Sequence, residues 1–289
     1  MYYAMIILSV VMFGGCFAIK EFYRNVRKVS DIKMTFESVF IGSLTGVLVL
    51  FLINGFKLEL TWFTFFMALL SAITSFGFTF CSFKALGNIN LSMFSLFSML
   101  GGMLLPFFQG IIFYGETITL AKIICVLFII AALILTVTKK EKTKSTIYYI
   151  GIFVLNGLAG VISNIFSEST LPKTTAADFS ICLAIINIVV SGIVLLFFTK
   201  NKKEDEQKFT LKAGLLSGAS GVLDKVANFL LVAALLHVEA SVQYPMVTGG
   251  VMIVSTLACY LTDKKPTNKD LISIGLAFIG MLMLFIIPI

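Results

Sequence analysis

The sequence predicts an all-α membrane protein, with ten transmembrane helices laid out as two inverted five-helix repeats. Three observations lead there. Of the 289 residues 58% are hydrophobic and only 13% charged, and the mean hydropathy is +1.02; soluble domains are about 25% charged. The apolar residues gather into runs of roughly 17–25, the length a helix needs to cross a bilayer and about twice what a barrel strand needs. Features of the first half also return some 147 residues later.

The ten runs nearly exhaust the chain and leave no room for a soluble domain. The first, 2–19, lacks the basic start of a signal peptide and reads as a retained span. The second is 37–54. The third, 62–83, carries Ser71, Ser75 and Ser82, and the fourth, 91–113, sets Ser92, Ser95, Gly102, Pro106 and Gln109 along one broad face. The fifth, 119–138, closes a first unit at 1–138. Residues 139–145 then read as a cytoplasmic linker to a second unit at 146–289. The sixth run, 146–166, offers Asn156, Gly160 and Ser163, continued by Ser167, at 4-3-4 spacing with Asn164 beside them. The seventh is 178–198 and the eighth 211–236. The ninth, 240–261, opens on Gln243, Tyr244 and Pro245 before Thr248, Gly249 and Gly250, and the tenth is 269–288.

Small and hydroxyl-bearing residues serve close helix packing in lipid, and packing is the expectation for any single Ser or Gly here. Amides differ, because an unsatisfied amide in hydrocarbon is expensive; Asn164 and Gln243 are as fit to touch a substrate as to tie helices. Pro245 removes a backbone donor, which can free a carbonyl for cargo, make a hinge or simply kink the helix. Glu116, at a span end, is expected to anchor its loop or cap the fifth helix.

The eighth run is the one the rest is organised around. Asp224 and Lys225 stand near its middle with Asn228 a turn later. An ionised side chain at the bilayer centre costs roughly 2.5–3.5 kcal/mol on insertion scales. Ser217, Gly221, Asp224 and Asn228 follow a 4-3-4 rhythm, so they share one face, opposite Leu, Val and Ala. That face either lines a substrate path or locks helices together through Asp–Lys or Asp–Asn interactions.

The net charge is +7, yet the basic residues sit in short loops between apolar runs, which argues against a nucleic-acid partner. Eighteen of the 22 Lys and Arg fall after runs 1, 3, 5, 7 and 9, Lys20 and Lys84 among them; three fall on the other side, and Lys225 lies inside a span. By the positive-inside rule the odd-numbered loops are cytoplasmic and both termini outside, in the cell membrane. The five cysteines occupy five different runs with no CxxC spacing, and His237 is the only histidine. They read as buried thiols, with no disulfide, metal site or cofactor expected.

The halves resemble each other. Gly115, Glu116 and Thr117 after the fourth run match Thr262, Asp263 and Lys264 after the ninth, at an offset of 147. Gly101 and Gly102 match Gly249 and Gly250 at 148, and Gly15 and Gly160 occupy like places in runs 1 and 6. Five spans is an odd number, so the second copy must enter the membrane upside down, an arrangement typical of transporters. Phe13-Gly14-Gly15-Cys16-Phe17 followed by Lys20, Lys84-Ala85-Leu86-Gly87 leading into 91–98, and Phe113-Tyr114-Gly115-Glu116 together resemble the drug/metabolite transporter superfamily, specifically its ten-helix EamA-like members. The likeness covers both halves. Phe13 stands where the family often has Trp, and Asp263 where it has Glu. The resemblance implies transport of metabolites or drugs without choosing a cargo.

The function expected is therefore secondary transport of small polar metabolites or drugs by alternating access, by proton coupling, exchange or uniport. No GxxxxGK[ST] stretch is present to use ATP. The expected site residues are Asp224, Lys225, Asn228, Asn156, Asn164, Gln243 and Tyr244, with Gly102, Pro106, Pro245, Gly249 and Gly250 as hinge or packing positions. Asp224 can carry a proton, and Lys225 can hold an anionic group. The expected partners are a small-molecule substrate and the bilayer, with a homodimer left open. The alternatives are a membrane-embedded structural or sensor protein, or an intramembrane enzyme. The latter would need a nucleophile with a base or a metal cluster; no HExxH, paired intramembrane carboxylates or Cys–His pairing is seen, so no enzyme is expected.

Overall fold

The computed structural model describes residues 2–28, 31–113, 119–136, 143–200, 209–238, 240–262 and 264–286. These residues form ten helices and no strand: α1 (Tyr2–Arg27), α2 (Ile32–Ile53), α3 (Trp62–Leu86), α4 (Leu91–Phe113), α5 (Leu120–Thr136), α6 (Thr143–Glu168), α7 (Ala176–Lys200), α8 (Leu211–Leu235), α9 (Ala240–Cys259) and α10 (Asn268–Ile286). Among the described residues, seven helices are long and apolar enough to cross a membrane, namely α1–α4 and α6–α8, and α5 contributes a shorter apolar stretch. The surface is oily and much of the interior polar. Trp62, Phe113, Leu211 and Leu257 are exposed, while Ser9, Ser43, Ser98, Asn187 and Ser217 are buried. An oily surface over a core that mixes apolar and small polar side chains fits a chain embedded in a membrane.

One boundary is corrected with consequence. The apolar run ends at residue 19, but α1 continues to Arg27. Phe22, Tyr23 and Val26 extend its apolar face, and Tyr23 packs against Phe83 with ring centroids 5.6 Å apart. Lys20 is therefore not a loop residue. It is 7% exposed and lies inside the bundle. Lys84 and Lys212 likewise fall in terminal helical turns, where long basic side chains can still reach water. α6 already begins at Thr143, inside the expected linker. The pair Gly115–Glu116, Asp263 and residues 139–142 of the expected linker lie outside the described residues.

Helix starts are set by local chemistry. Thr210 caps α8 by accepting from Ala213 N, Thr61 caps α3 through Thr64 N, and Asp31 caps α2 through Met34 N at 2.8 Å. The packing then runs across the chain. α1 lies on α8 and α9, and α6 on α3 and α4; α2 lies on α8, and α3 on α7; α2 meets α7, α4 meets α9 and α5 meets α10. Two crossings are close enough to need glycine. A Cβ on Gly221 would sit 2.0 Å from Gly42 Cα, where α8 crosses α2, and one on Gly101 would sit 1.9 Å from Phe153 O, where α4 crosses α6. Close backbone approach of this kind maximises van der Waals contact where lipid offers no hydrophobic drive.

Each end of the bundle is tied by polar contacts. At one end Arg24 Nη1 donates to Leu86 O at 3.0 Å, and Lys264 Nζ donates to Leu86 O at 3.0 Å and Gly87 O at 2.7 Å. Arg27 pairs with Glu37 at 2.6 Å beside them. Basic groups thus cover the carbonyl end of α3, as the helix dipole favours. At the opposite end Asp178 accepts from Asn54 Nδ2, Glu59 N and Thr175 Oγ1, joining the loop before α7 to the loop before α3.

Candidate functional site

Asp224 is placed by the α8 crossing beneath it. Ser217 Oγ donates to Ser38 O at 3.0 Å, Thr45 Oγ1 to Gly218 O at 3.0 Å, and Gly221 abuts Gly42. The polar stripe of α8 therefore divides: Ser217 and Gly221 pack on α2, whereas Asp224 and Asn228 face the interior. Lys225 lays its stem against Gly46 of α2, where a Cβ would meet Lys225 Cγ at 2.6 Å. Its Nζ returns to Asp224 Oδ2 at 3.3 Å. The other oxygen, Oδ1, stands 3.7 Å from Lys20 Nζ of α1. Lys20 also lies over the Phe78 ring, 5.6 Å from its centroid. Asn228 Nδ2 donates to the Asp224 backbone carbonyl at 2.9 Å.

This cluster borders a cavity of about 160 Å³ that helices of both halves line. Six of the seven sequence-predicted site residues are brought together there: Asp224, Lys225, Asn228, Asn156, Gln243 and Tyr244. Asn156 Nδ2 donates to Ser98 O at 2.8 Å and rests against Gly102, which also lines the cavity. Tyr244 OH donates to Gly160 O at 3.0 Å, tying α9 to α6. Gln243 Nε2 donates to Leu231 O at 2.9 Å, and its Oε1 is buried without a donor among the described residues. Asn164 does not join them. It is buried one face away, where its Nδ2 meets Gln109 Oε1 at 3.4 Å.

The hinge and packing positions mostly stand outside the cavity. Pro106 packs against Gly160, Gly249 against Phe278, and Gly250 against Val10 of α1. Pro245 lies within α9.

Ser71, Ser75, Gly160, Ser163 and Thr248, named from the sequence as small polar or packing positions, also line the wall, whereas its aromatic and remaining parts were not picked out as site residues. Phe13, Phe17 and Phe78 form an aromatic side toward the tied end of α3, and Phe17 meets Phe94 edge-on at 4.9 Å. Phe179, Ser180 and Leu235 carry the cavity toward the opposite end. Thr74 and Thr248 add hydroxyls. Lys20 is the largest omission; the signal was the apolar register of α1 running on through Phe22, Tyr23 and Val26. A second cavity of about 30 Å³ lies beyond the charged cluster, among Lys20, Ser38, Ser43, Thr79, Ser220 and Asp224. Room for one or two waters is what such a volume gives. The charged cluster stands between the two spaces.

The arrangement can bind a small polar molecule, with ionic groups at one side, amides around it and rings against its body. Among the described residues no group of three His, Cys, Asp or Glu is placed to hold a metal.

No family model matches the chain, and no curated protein does. Solved structures do. One, described only as the crystal structure of a protein, superposes with a TM-score of 0.63 over 96% of this chain and 94% of its own, at 15% identity. At that identity the similarity concerns the fold: the whole ten-helix arrangement has a solved counterpart of nearly the same extent.

Proposed function

We propose that the protein is a secondary transporter that moves small polar metabolites or drugs by alternating access. The observation that carries this reading is the cavity that Asp224 and Lys225 line together with helices from both halves. Ionisable residues at membrane depth mark substrate or ion paths more often than not. A buried acceptor on Gln243 without a donor also suits a site completed by a ligand.

The packing supports two five-helix repeats. Advancing every helix by five turns the contacts of α1 with α8 and α9 into those of α6 with α3 and α4, and turns α2 on α8 into α7 on α3; the pairs α2·α7, α4·α9 and α5·α10 map onto themselves. Gly102 and Gly160 close α4 on α6, and Gly250 and Gly14 close α9 on α1; Gly15, which the sequence pairs with Gly160, faces Leu223 of α8 instead. An odd repeat makes the copies inverted, with the site between them. On this reading the chain belongs with the ten-helix EamA-like members of the drug/metabolite transporter superfamily, and its basic loops face the cytoplasm.

Sealed vesicles test the proposal. Purified protein is expected to give saturable uptake of labelled metabolites that protein-free or leaky vesicles do not show. Turnover of a compound by protein in detergent would point to an enzyme instead. Uptake no greater than in protein-free vesicles would leave the charged cluster as a helix lock, which the pairing of Lys20 with Asp224 would then explain.

A further inference from the structure

The two cavities share one set of ionisable side chains. Apart from the phenol of Tyr244, these are Lys20, Asp224 and Lys225 among the described residues that line them. Asp224 stands between the ammoniums, 3.7 Å from one and 3.3 Å from the other. One carboxylate answers one ammonium, so the three groups sum to a single positive charge. Glu21, the buried carboxylate of α1, is one residue on from Lys20 and hence about 100° round the helix; it acts on Lys264 at the bundle end. Both lysines are largely withdrawn from bulk solvent, Lys20 at 7% and Lys225 at 6% exposed. An unanswered charge at membrane depth is costly.

We propose that the cargo is a compact organic anion with one net negative charge, its anionic group seated at Lys225. This rests on the transport reading and names the cargo class. Asp224 and Lys225 both line the larger cavity, whereas Lys20 lines only the smaller one. Lys225 is bonded to Asp224 at 3.3 Å, yet of the two ammoniums it alone lines the larger cavity, and with Lys20 on the other carboxylate oxygen at 3.7 Å Asp224 keeps a partner when cargo engages Lys225. Phe13, Phe17 and Phe78 form an apolar wall for the rest of the molecule. The volume of about 160 Å³ is close to the roughly 150 Å³ of an engineered cavity that holds benzene. The fit is to a molecule of about one ring.

Benzoate, benzamide and benzylammonium share that ring and differ in charge. Thermal unfolding of the full chain in detergent, at constant ionic strength, compares them directly, because a ligand that binds the folded state raises its midpoint. Benzoate is expected to raise the midpoint, and the other two to leave it near the ligand-free value. Lys225→Met is expected to weaken benzoate at least tenfold, while Lys225→Arg keeps it. A benzoate shift that is absent, or no larger than that of benzamide or benzylammonium, overturns the assignment, as does full benzoate affinity in a folded Lys225→Met protein. The wild-type comparison stands even where that variant does not fold. Benzoate-selective binding without vesicle uptake keeps the charge assignment and removes the transport reading. Uptake of neutral or cationic cargo with anions ignored does the reverse.

Discussion

The two carboxylate oxygens of Asp224 turn to different lysines, Oδ1 to Lys20 of α1 and Oδ2 to Lys225 of its own helix. Removing one partner of an enclosed ion pair costs about 3–5 kcal/mol, because the other charge stays behind. The Asp224 side chain is 25% exposed to the cavity, so Asp224→Asn is expected near the low end, about 3 kcal/mol, seen as a lower thermal midpoint. Its transport decides the proton question: a wild-type rate across a pH series would remove Asp224 as a proton carrier. Tyr244→Phe, which deletes the donor to Gly160 O, is expected to cost about 1 kcal/mol. The sequence made Asp224, Lys225 and Asn228 legible because charged and amide groups are rare in apolar runs. It hid Lys20, which stands where a run meets its basic flank and so resembles a topology signal. It also set Asn164 beside Asn156 as an equal, because helical register alone cannot say that Gln109 waits on the neighbouring face.

At Gly42 and Gly221 helices α2 and α8 meet backbone to backbone, and this is where element-scale changes should act most strongly. Gly221→Leu puts its Cβ 2.0 Å from Gly42 Cα. It is expected to abolish the folded, monodisperse protein on size-exclusion chromatography. Gly275→Ala on α10 meets nothing within 4 Å and is expected to behave as wild type. At the tied end of α3, burial first and then the neighbouring Arg24 hold Lys264 below the usual lysine range, with Glu21 opposing. Between that lowered value and the ordinary 10.5, the unfolded chain binds more protons than the folded one, so this contribution to stability rises with pH. The thermal midpoint of wild type relative to Lys264→Met is therefore expected to climb as pH approaches that range from below, and a fall would contradict the placement. Helix existence was legible because runs of about twenty apolar residues admit few alternatives. Helix ends were not, since α1 and α2 carry polar residues well beyond their apolar stretches.

Across the whole molecule, the count of ten helices was readable from the chain. Partner choice was not. Nothing in a run of Leu and Phe says that α1 rests on α8 and α9, or that α2 takes α7, because lipid-facing and partner-facing apolar residues look alike in sequence. The site follows from those partners: without α1 across α8, Lys20 would not reach Asp224. The aromatic wall and the tied end of α3 lie on one side of the cavity, and Phe179 and Leu235 on the other. Alternating access requires that the same interior positions meet water from both sides in turn. A membrane-impermeant thiol reagent tests this on Ser163→Cys, a cavity position, in a chain whose native cysteines are replaced and whose orientation in sealed vesicles is uniform. The account predicts labelling from outside and, separately, from within, each slowed by a transported compound; labelling from one side alone, unchanged by any such compound, would contradict it.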